Sequence, residues 1–150
     1  MQKRASDVAR PLETGDDLVL AVEQLVRFVR SRSTAGDLSG SASSALSRLV
    51  REGPQSITAL ARAEHASQPN MTQLVTRLEK SRLVRRVPDS SDGRRVLVES
   101  TDLGRDVIGQ RRGQRSEALQ QLLDQMSEAE RDAVMVALPA LAQAIRNSNR

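Results

Sequence analysis

Apolar residues recur at helical spacing soon after the chain begins. Leu18, Val22, Leu25 and Val29, with Val19 and Val26 beside them, share one face and predict an amphipathic helix. Thr14 followed by Asp17 has the form of a helix-start box, so this helix runs from Thr14 to about Ser31. Residues 1–13 lack the pattern and read as frayed. Ser33 to Ser41, rich in serine and glycine, reads as a loop. A second helix covers about Ala42 to Arg51, with Leu46, Leu49 and Val50 inward, and Gly53-Pro54 stops it. Ser56 caps a third, short helix that ends before the tight break Glu64-His65-Ala66. Ser67 caps a fourth, reaching Lys80, with Pro69 in the first turn, where a missing N–H costs nothing. Met71, Leu74, Val75 and Leu78 are its inward stripe. Two short β-prone runs follow, Leu83 to Val87 and Val96 to Val98, joined by the polar stretch Pro88 to Arg95. Thr101 caps a long fifth helix to about Gln125. Gly104, Gly109 and Gly113 interrupt it, each at a cost of roughly 1 kcal/mol relative to alanine. Ser127-Glu128-Ala129-Glu130 is a capping box and opens a sixth helix, with Val134, Leu138, Leu141 and Ile145 as its apolar stripe. Pro139 is expected to kink it.

Helix, turn, helix and then a basic hairpin is the plan of a winged helix-turn-helix. The fold class that follows is mostly α with a small β-hairpin wing. Residues 42–100 form the winged unit, and 14–32 with 101–147 form flanking helices, within one chain of 150 residues. The first, fifth and sixth helices each carry an apolar stripe. They cover these stripes either by packing on one another as a monomeric bundle or, more completely, against the same helices of a second copy in a symmetric homodimer.

Composition narrows the picture. Aromatic residues make up 1% of the chain, so the core is built from Leu, Val, Ile, Ala and Met, which suits packed helices. No apolar run approaches the ~20 residues of a membrane span. Residues 1–10 have no apolar segment of the secretory type, and a cytoplasmic chain is expected. With no cysteine there is no disulfide framework or thiol switch. His65 is the single histidine and offers no convergent ligand set, so no metal and no cofactor are expected. No nucleophile elbow, phosphate loop or paired-carboxylate constellation occurs, and Glu117, Asp124, Glu128 and Glu130 read as solvated helix faces, so no catalytic residues are assigned and the chain does not read as an enzyme. The formal net charge of +4 says little by itself. Its placement says more, because Arg82, Arg85, Arg86, Arg94 and Arg95 cluster around the hairpin and mark a surface for a polyanion.

The candidate contacts to double-stranded DNA lie on the fourth helix and the wing. Ser67, Gln68, Asn70, Thr72 and Gln73 occupy its first turns. Asn and Gln pair bidentately with adenine, and Thr meets the thymine methyl. Arg77, further along, is placed to clamp a phosphate. Arg86, Arg94 and Arg95 belong to the basic hairpin, with Arg94 expected in the minor groove and Asp92 expected to hold its guanidinium. The plain alternatives are a solvated polar face and a structural Asp–Arg pair.

The run Leu60-Ala61, Ser67 to Thr72, Leu74 to Lys80 and Leu83-Val84, followed by Asp92-Gly93-Arg94-Arg95 and Thr101 to Arg105, closely resembles the MarR family of bacterial transcriptional regulators. The likeness spans nearly the whole chain, and the recognition helix with the Asp-x-Arg wing is its most specific pair. It implies a homodimer whose terminal helices form the dimerisation apex. It also implies a pseudo-palindromic operator, and a pocket for a small anionic or phenolic ligand between the dimerisation and DNA-binding parts. Phe28, Leu49, Ile108 and Arg112 are the candidates to line that pocket, beside a plain reading as core plus one surface arginine. The chain departs from the family at Arg82, where glycine is common, and in having Phe28 as its single aromatic residue. The expectation is a ligand-responsive, dimeric DNA-binding repressor; the alternative is a winged-helix module that uses its basic wing on an acidic protein.

Overall fold

Helices in this chain begin where a hydroxyl side chain accepts an otherwise unpaired backbone N–H. The computed structural model describes residues 12–148, so most of the segment expected to fray, residues 1–11, lies outside the described residues. Helix α1 (Gly15–Ser31) opens on the expected box: Asp17 N–H donates to Thr14 Oγ1 at 3.1 Å and Thr14 N–H donates to Asp17 Oδ2 at 3.0 Å. The serine-rich connector holds a 3₁₀ turn over Ala35–Asp37. Helix α2 (Gly40–Glu52) then starts at Gly40 rather than Ala42, because Ser39 supplies the cap. Ser56, Ser67 and Thr101 cap α3 (Ile57–Ala63), α4 (Gln68–Lys80) and α5 (Asp102–Leu123). Ser127 and Glu130 form the reciprocal box at the start of α6 (Glu128–Ser148), which continues as one helix through Pro139.

The ends of α3 and α4 share one geometry. Ala66 N–H donates to Ala61 O at 2.9 Å and His65 N–H to Arg62 O at 3.3 Å; Leu83 N–H donates to Leu78 O at 3.0 Å and Arg82 N–H to Glu79 O at 2.9 Å. This double closure needs a left-handed residue just past the helix, a place that favours glycine. His65 (φ 50°) and Arg82 (φ 59°) occupy it instead. Arg82, where the resemblance led to an expectation of glycine, is therefore still a left-handed turn, at some cost in backbone strain.

Strands β1 (Val84–Pro88) and β2 (Val96–Ser100) pair antiparallel, with Val84 opposite Ser100 and Pro88 opposite Val96. Gln55, just before α3, exchanges two backbone hydrogen bonds with Val98, at 3.0 and 2.8 Å, and ties the hairpin to the lobe. The core draws on α2 (Leu46, Leu49), α3 (Leu60), α4 (Met71, Val75), both strands (Val84, Val98) and the first turns of α5 (Val107, Ile108). The fifth helix thus begins inside the winged lobe and leaves it later. Gly104 makes that possible: a Cβ there would lie 2.2 Å from Leu83 O. Helices α1 and α6 bury no residue at all.

Candidate nucleic-acid interface

With the inward stripe of α4 fixed by Met71, Leu74, Val75 and Leu78, the opposite face follows from about 100° of rotation per residue. It is centred on Pro69, Gln73, Thr76 and Lys80. Gln73 was expected there; Thr76 and Lys80 were not singled out from the sequence, although the helical period that located the core stripe locates them equally well. Gln68, Asn70, Thr72 and Arg77 are exposed on the flanks. Ser67 is exposed, but its hydroxyl accepts Asn70 N–H as the helix cap.

The two flanks differ in chemistry. On the side toward α2, Arg77 borders a cavity of about 360 Å³ with Ser41, Glu64 and Asn70. Arg77 has no hydrogen bond or ion pair to another side chain among the described residues and remains available to a phosphate. On the wing side, Arg86 reaches back from β1 to α4, with Nη1 at 3.0 Å from Glu79 Oε2 and Nη2 donating to Thr76 Oγ1 at 3.5 Å. Arg86 was expected to touch DNA. In this structure its guanidinium fastens the wing to α4.

The five arginines around the hairpin are not five unpaired charges. Arg85 pairs with Glu99, its cross-strand neighbour, and Arg86 with Glu79. Arg95 pairs with Asp92 at 3.4 Å. Asp92 was expected to hold the guanidinium of Arg94; it holds that of Arg95 and accepts only the backbone N–H of Arg94, at 3.2 Å. An i,i+2 bond of this kind is a turn-forming contact, and it leaves the longer side chain to point away. Arg94 is exposed at the tip of the wing, and its guanidinium has no partner among the described residues. The tip is held by Asp89, which accepts the N–H and hydroxyl of Ser91 at 2.9 and 2.7 Å. The Ser91 hydrogen bonds hold the Asp89 carboxyl below its usual range.

The lobe beneath is braced by Arg48, whose guanidinium reaches Glu64 at 2.8 Å and Glu52 at 2.9 Å. Burial pushes the Glu64 carboxyl up, but hydrogen bonds from Arg48 and Ser44 outweigh it and hold the group below its usual range. His65 is exposed and serves as the helix-ending residue of α3.

Of the four residues expected to line a ligand pocket, two share the lobe's buried cluster. Leu49 and Ile108 are core residues of the lobe, 1% and 9% exposed. Phe28 lies under the Arg32 guanidinium, 4.9 Å from ring centre to Cζ, and Arg112 is exposed. None of them borders the largest apolar cavity described, about 440 Å³ between α1, α5 and α6, lined by Leu25, Leu119, Leu122, Met126, Val134 and Leu138 among others. The α5 arginine the sequence reading missed is Arg111. It is 5% exposed, Nη1 donates to Ala35 O at 2.8 Å, and Nε is buried without a partner among the described residues. Burial, then Arg115, push its guanidinium below its ordinary value. Gln114 accepts the N–H groups of Thr34 and Ala35, and Arg115 donates to Ser33 Oγ at 3.0 Å. Together these α5 side chains hold the connector that joins α1 to α2.

Comparison with known proteins places this geometry. The MarR family model matches residues 38–96, the span from the α2 cap to the returning strand. An uncharacterised HTH-type transcriptional regulator of Mycobacterium bovis is 36% identical over 121 residues, covering 81% of this chain and 85% of the relative. The crystal structure of RV1404 from Mycobacterium tuberculosis superposes with a TM-score of 0.77 at 27% identity, over 91% of this chain and 97% of that one. A single-residue variant of Staphylococcus aureus MepR, solved bound to an oligodeoxyribonucleotide, has a TM-score of 0.67 at 20% identity, over 89% and 99% of the two chains.

Proposed function

For a chain that belongs to the MarR family of DNA-binding transcriptional regulators, we propose action as a homodimeric repressor in the cytoplasm that occupies a pseudo-palindromic operator and is released by a small molecule. The observation that carries the dimer is the pair of helices with no buried residue. Leu18, Val22 and Val26 of α1 are 41–47% exposed, and Met135, Val136, Leu141 and Ile145 of α6 are 50–74% exposed. Apolar stripes this long are normal at interfaces and rare on monomers. A second copy covers them, so that residues 14–32 and 101–147 form the dimerisation region and 42–100 the DNA-binding region.

Two-fold symmetry then sets two α4 helices about one helical turn of DNA apart, ~34 Å, in successive major grooves. Gln73 and Asn70 read base edges, Arg77 clamps the backbone, and Arg94 enters the minor groove at each flank. A MepR variant of the same fold was solved bound to an oligodeoxyribonucleotide, which supports DNA as the partner here. Release works by population shift: a ligand that binds better to a dimer of altered lobe spacing draws molecules from the DNA-competent state. The grip of Arg111, Gln114 and Arg115 on the connector carries a change between the terminal helices into α2. The test is sedimentation of the protein alone and with a duplex carrying an inverted repeat. A dimer that binds one duplex is expected, and Leu141→Asp with Ile145→Asp yields monomers with weakened binding. A wild-type protein sedimenting as a monomer, or unaffected variants, overturns the proposal.

A further inference from the structure

Thr72 and Thr76 stand one turn apart along the side of α4 toward the wing, Thr72 on the flank and Thr76 on the adjoining edge of the outward face. Thr72 Oγ1 donates to Gln68 O at 2.9 Å, and Thr76 Oγ1 donates to Thr72 O at 2.9 Å. A hydroxyl has a single hydrogen to donate, so neither threonine has a donor left for a base. Thr76 Oγ1 also accepts from Arg86 Nη2 at 3.5 Å, which occupies it from the wing side. Glu79, the next polar group on this flank, is held by Arg86 at 3.0 Å. The opposite flank keeps its polar chemistry, with Asn70 and Arg77 exposed and Gln73 between the flanks. Beyond the exposed Gln68 at its N-terminal end, the wing side is left with the γ-methyl groups of Thr72, exposed, and Thr76, half-buried, as the parts of the two threonines not engaged in hydrogen bonds.

The apolar feature a major groove presents to such methyl groups is the C5 methyl of thymine. We propose that Thr72 and Thr76 fix the wing-side part of each half-site as thymine through methyl–methyl contact, whereas Asn70 and Gln73 read the rest by hydrogen bonds. The inference rests on α4 lying in the major groove and adds which bases it selects and by which atoms. Arg86 has a part in it as a positioning residue, since its bond to Thr76 keeps that hydroxyl turned away from the bases.

The test uses duplexes selected by the full-length protein from a randomised pool, with each dT then replaced singly by dU, which removes only the methyl. Affinities are read by fluorescence anisotropy. Burying one methyl corresponds to about a fourfold change in affinity. One or two dT positions per half-site are expected to lose about three- to fivefold on replacement. That penalty is expected to persist in Thr72→Val and Thr76→Val, which keep the methyl and lose the hydroxyl, and to vanish at the matching position in Thr72→Ser or Thr76→Ser. If no dU replacement weakens binding, or the valine variants lose affinity as the serine variants do, the methyl reading is overturned. If the wild type prefers no sequence in the pool, the failure belongs to the operator reading beneath it.

Discussion

Replacing Gly104 with alanine probes how the winged lobe is joined to the helices that leave it. In isolation the change favours the helix by about 1 kcal/mol. The structure reverses the sign. The new Cβ lies 2.2 Å from Leu83 O, 3.1 Å from Leu83 C and 3.2 Å from Leu46 Cδ1, and the nearest atom is backbone, which has no rotamer to escape into. The start of α5 has to lift by about 1 Å from the turn that follows α4, an overpacking that costs about 1–3 kcal/mol. Lifting it also strains two hydrogen bonds, Thr101 N–H to Leu83 O at 3.0 Å and Thr101 Oγ1 to Arg82 O at 2.6 Å, each contributing about 1 kcal/mol. The net expectation is a loss of roughly 2–4 kcal/mol. For a chain of this size that lowers the midpoint of thermal unfolding by about 4–16 °C. The assay is circular dichroism at one fixed protein concentration, since the midpoint of the proposed dimer depends on concentration. Gly109 and Gly113 lie in the same helix with open space at their Cβ positions, so alanine there is expected to stabilise by about 0.5–1 kcal/mol each. A Gly104→Ala protein as stable as the wild type refutes the packing argument.

Three further outcomes follow from the site. Arg94→Ala is expected to weaken duplex binding and to lower the slope of log K against log salt by about 0.9 for each phosphate lost, whereas Arg85→Gln, whose charge Glu99 already neutralises, changes the slope little; salt titrations of anisotropy compare the two. Arg82→Gly removes a left-handed conformation that costs a non-glycine residue about 1–2 kcal/mol and gives part of it back to the unfolded chain, so the urea midpoint should rise by an amount equivalent to about 0.5–1 kcal/mol; a midpoint that falls contradicts the strain at φ 59°. Glu64 has a folded-state pKa below its unfolded value. Its contribution to stability is therefore present above the unfolded pKa and is lost as pH falls through the folded one. Urea midpoints measured from about pH 6 to about pH 3 should drop on acidification, and Arg48→Met should flatten the part of that drop due to Glu64.

What the sequence made legible was whatever rests on local chemistry. Thr14, Ser56, Ser67, Thr101 and Ser127 cap the helices they were expected to cap, because a hydroxyl before an apolar-periodic run answers a need at every helix start. The stripe Met71, Leu74, Val75 and Leu78 was readable from its period alone. Features that depend on three-dimensional pairing were not. The partners of Arg86 and Arg95 are set by where β1 crosses α4 and by the turn at the wing tip, so counting arginines overstated the unpaired charge. For Leu49 and Ile108 the sequence left a pocket and the plain core both open, because apolar residues near a junction suit either and no sequence pattern separates the two; both lie in the core of the lobe. Arg111 was passed over because an arginine in a helix is ordinarily solvated, and nothing local signals that Ala35 O will meet it across the fold.

Specific recognition of a duplex through α4 and the wing is the centre of this account. The direct measurement is fluorescence anisotropy with a fragment of the DNA upstream of the protein's own gene, against a scrambled duplex of the same composition, each at two salt concentrations. The account predicts tight binding to the upstream fragment, much weaker binding to the scrambled one, and a steep loss of affinity at the higher salt. Equal, weak binding to both duplexes would contradict it.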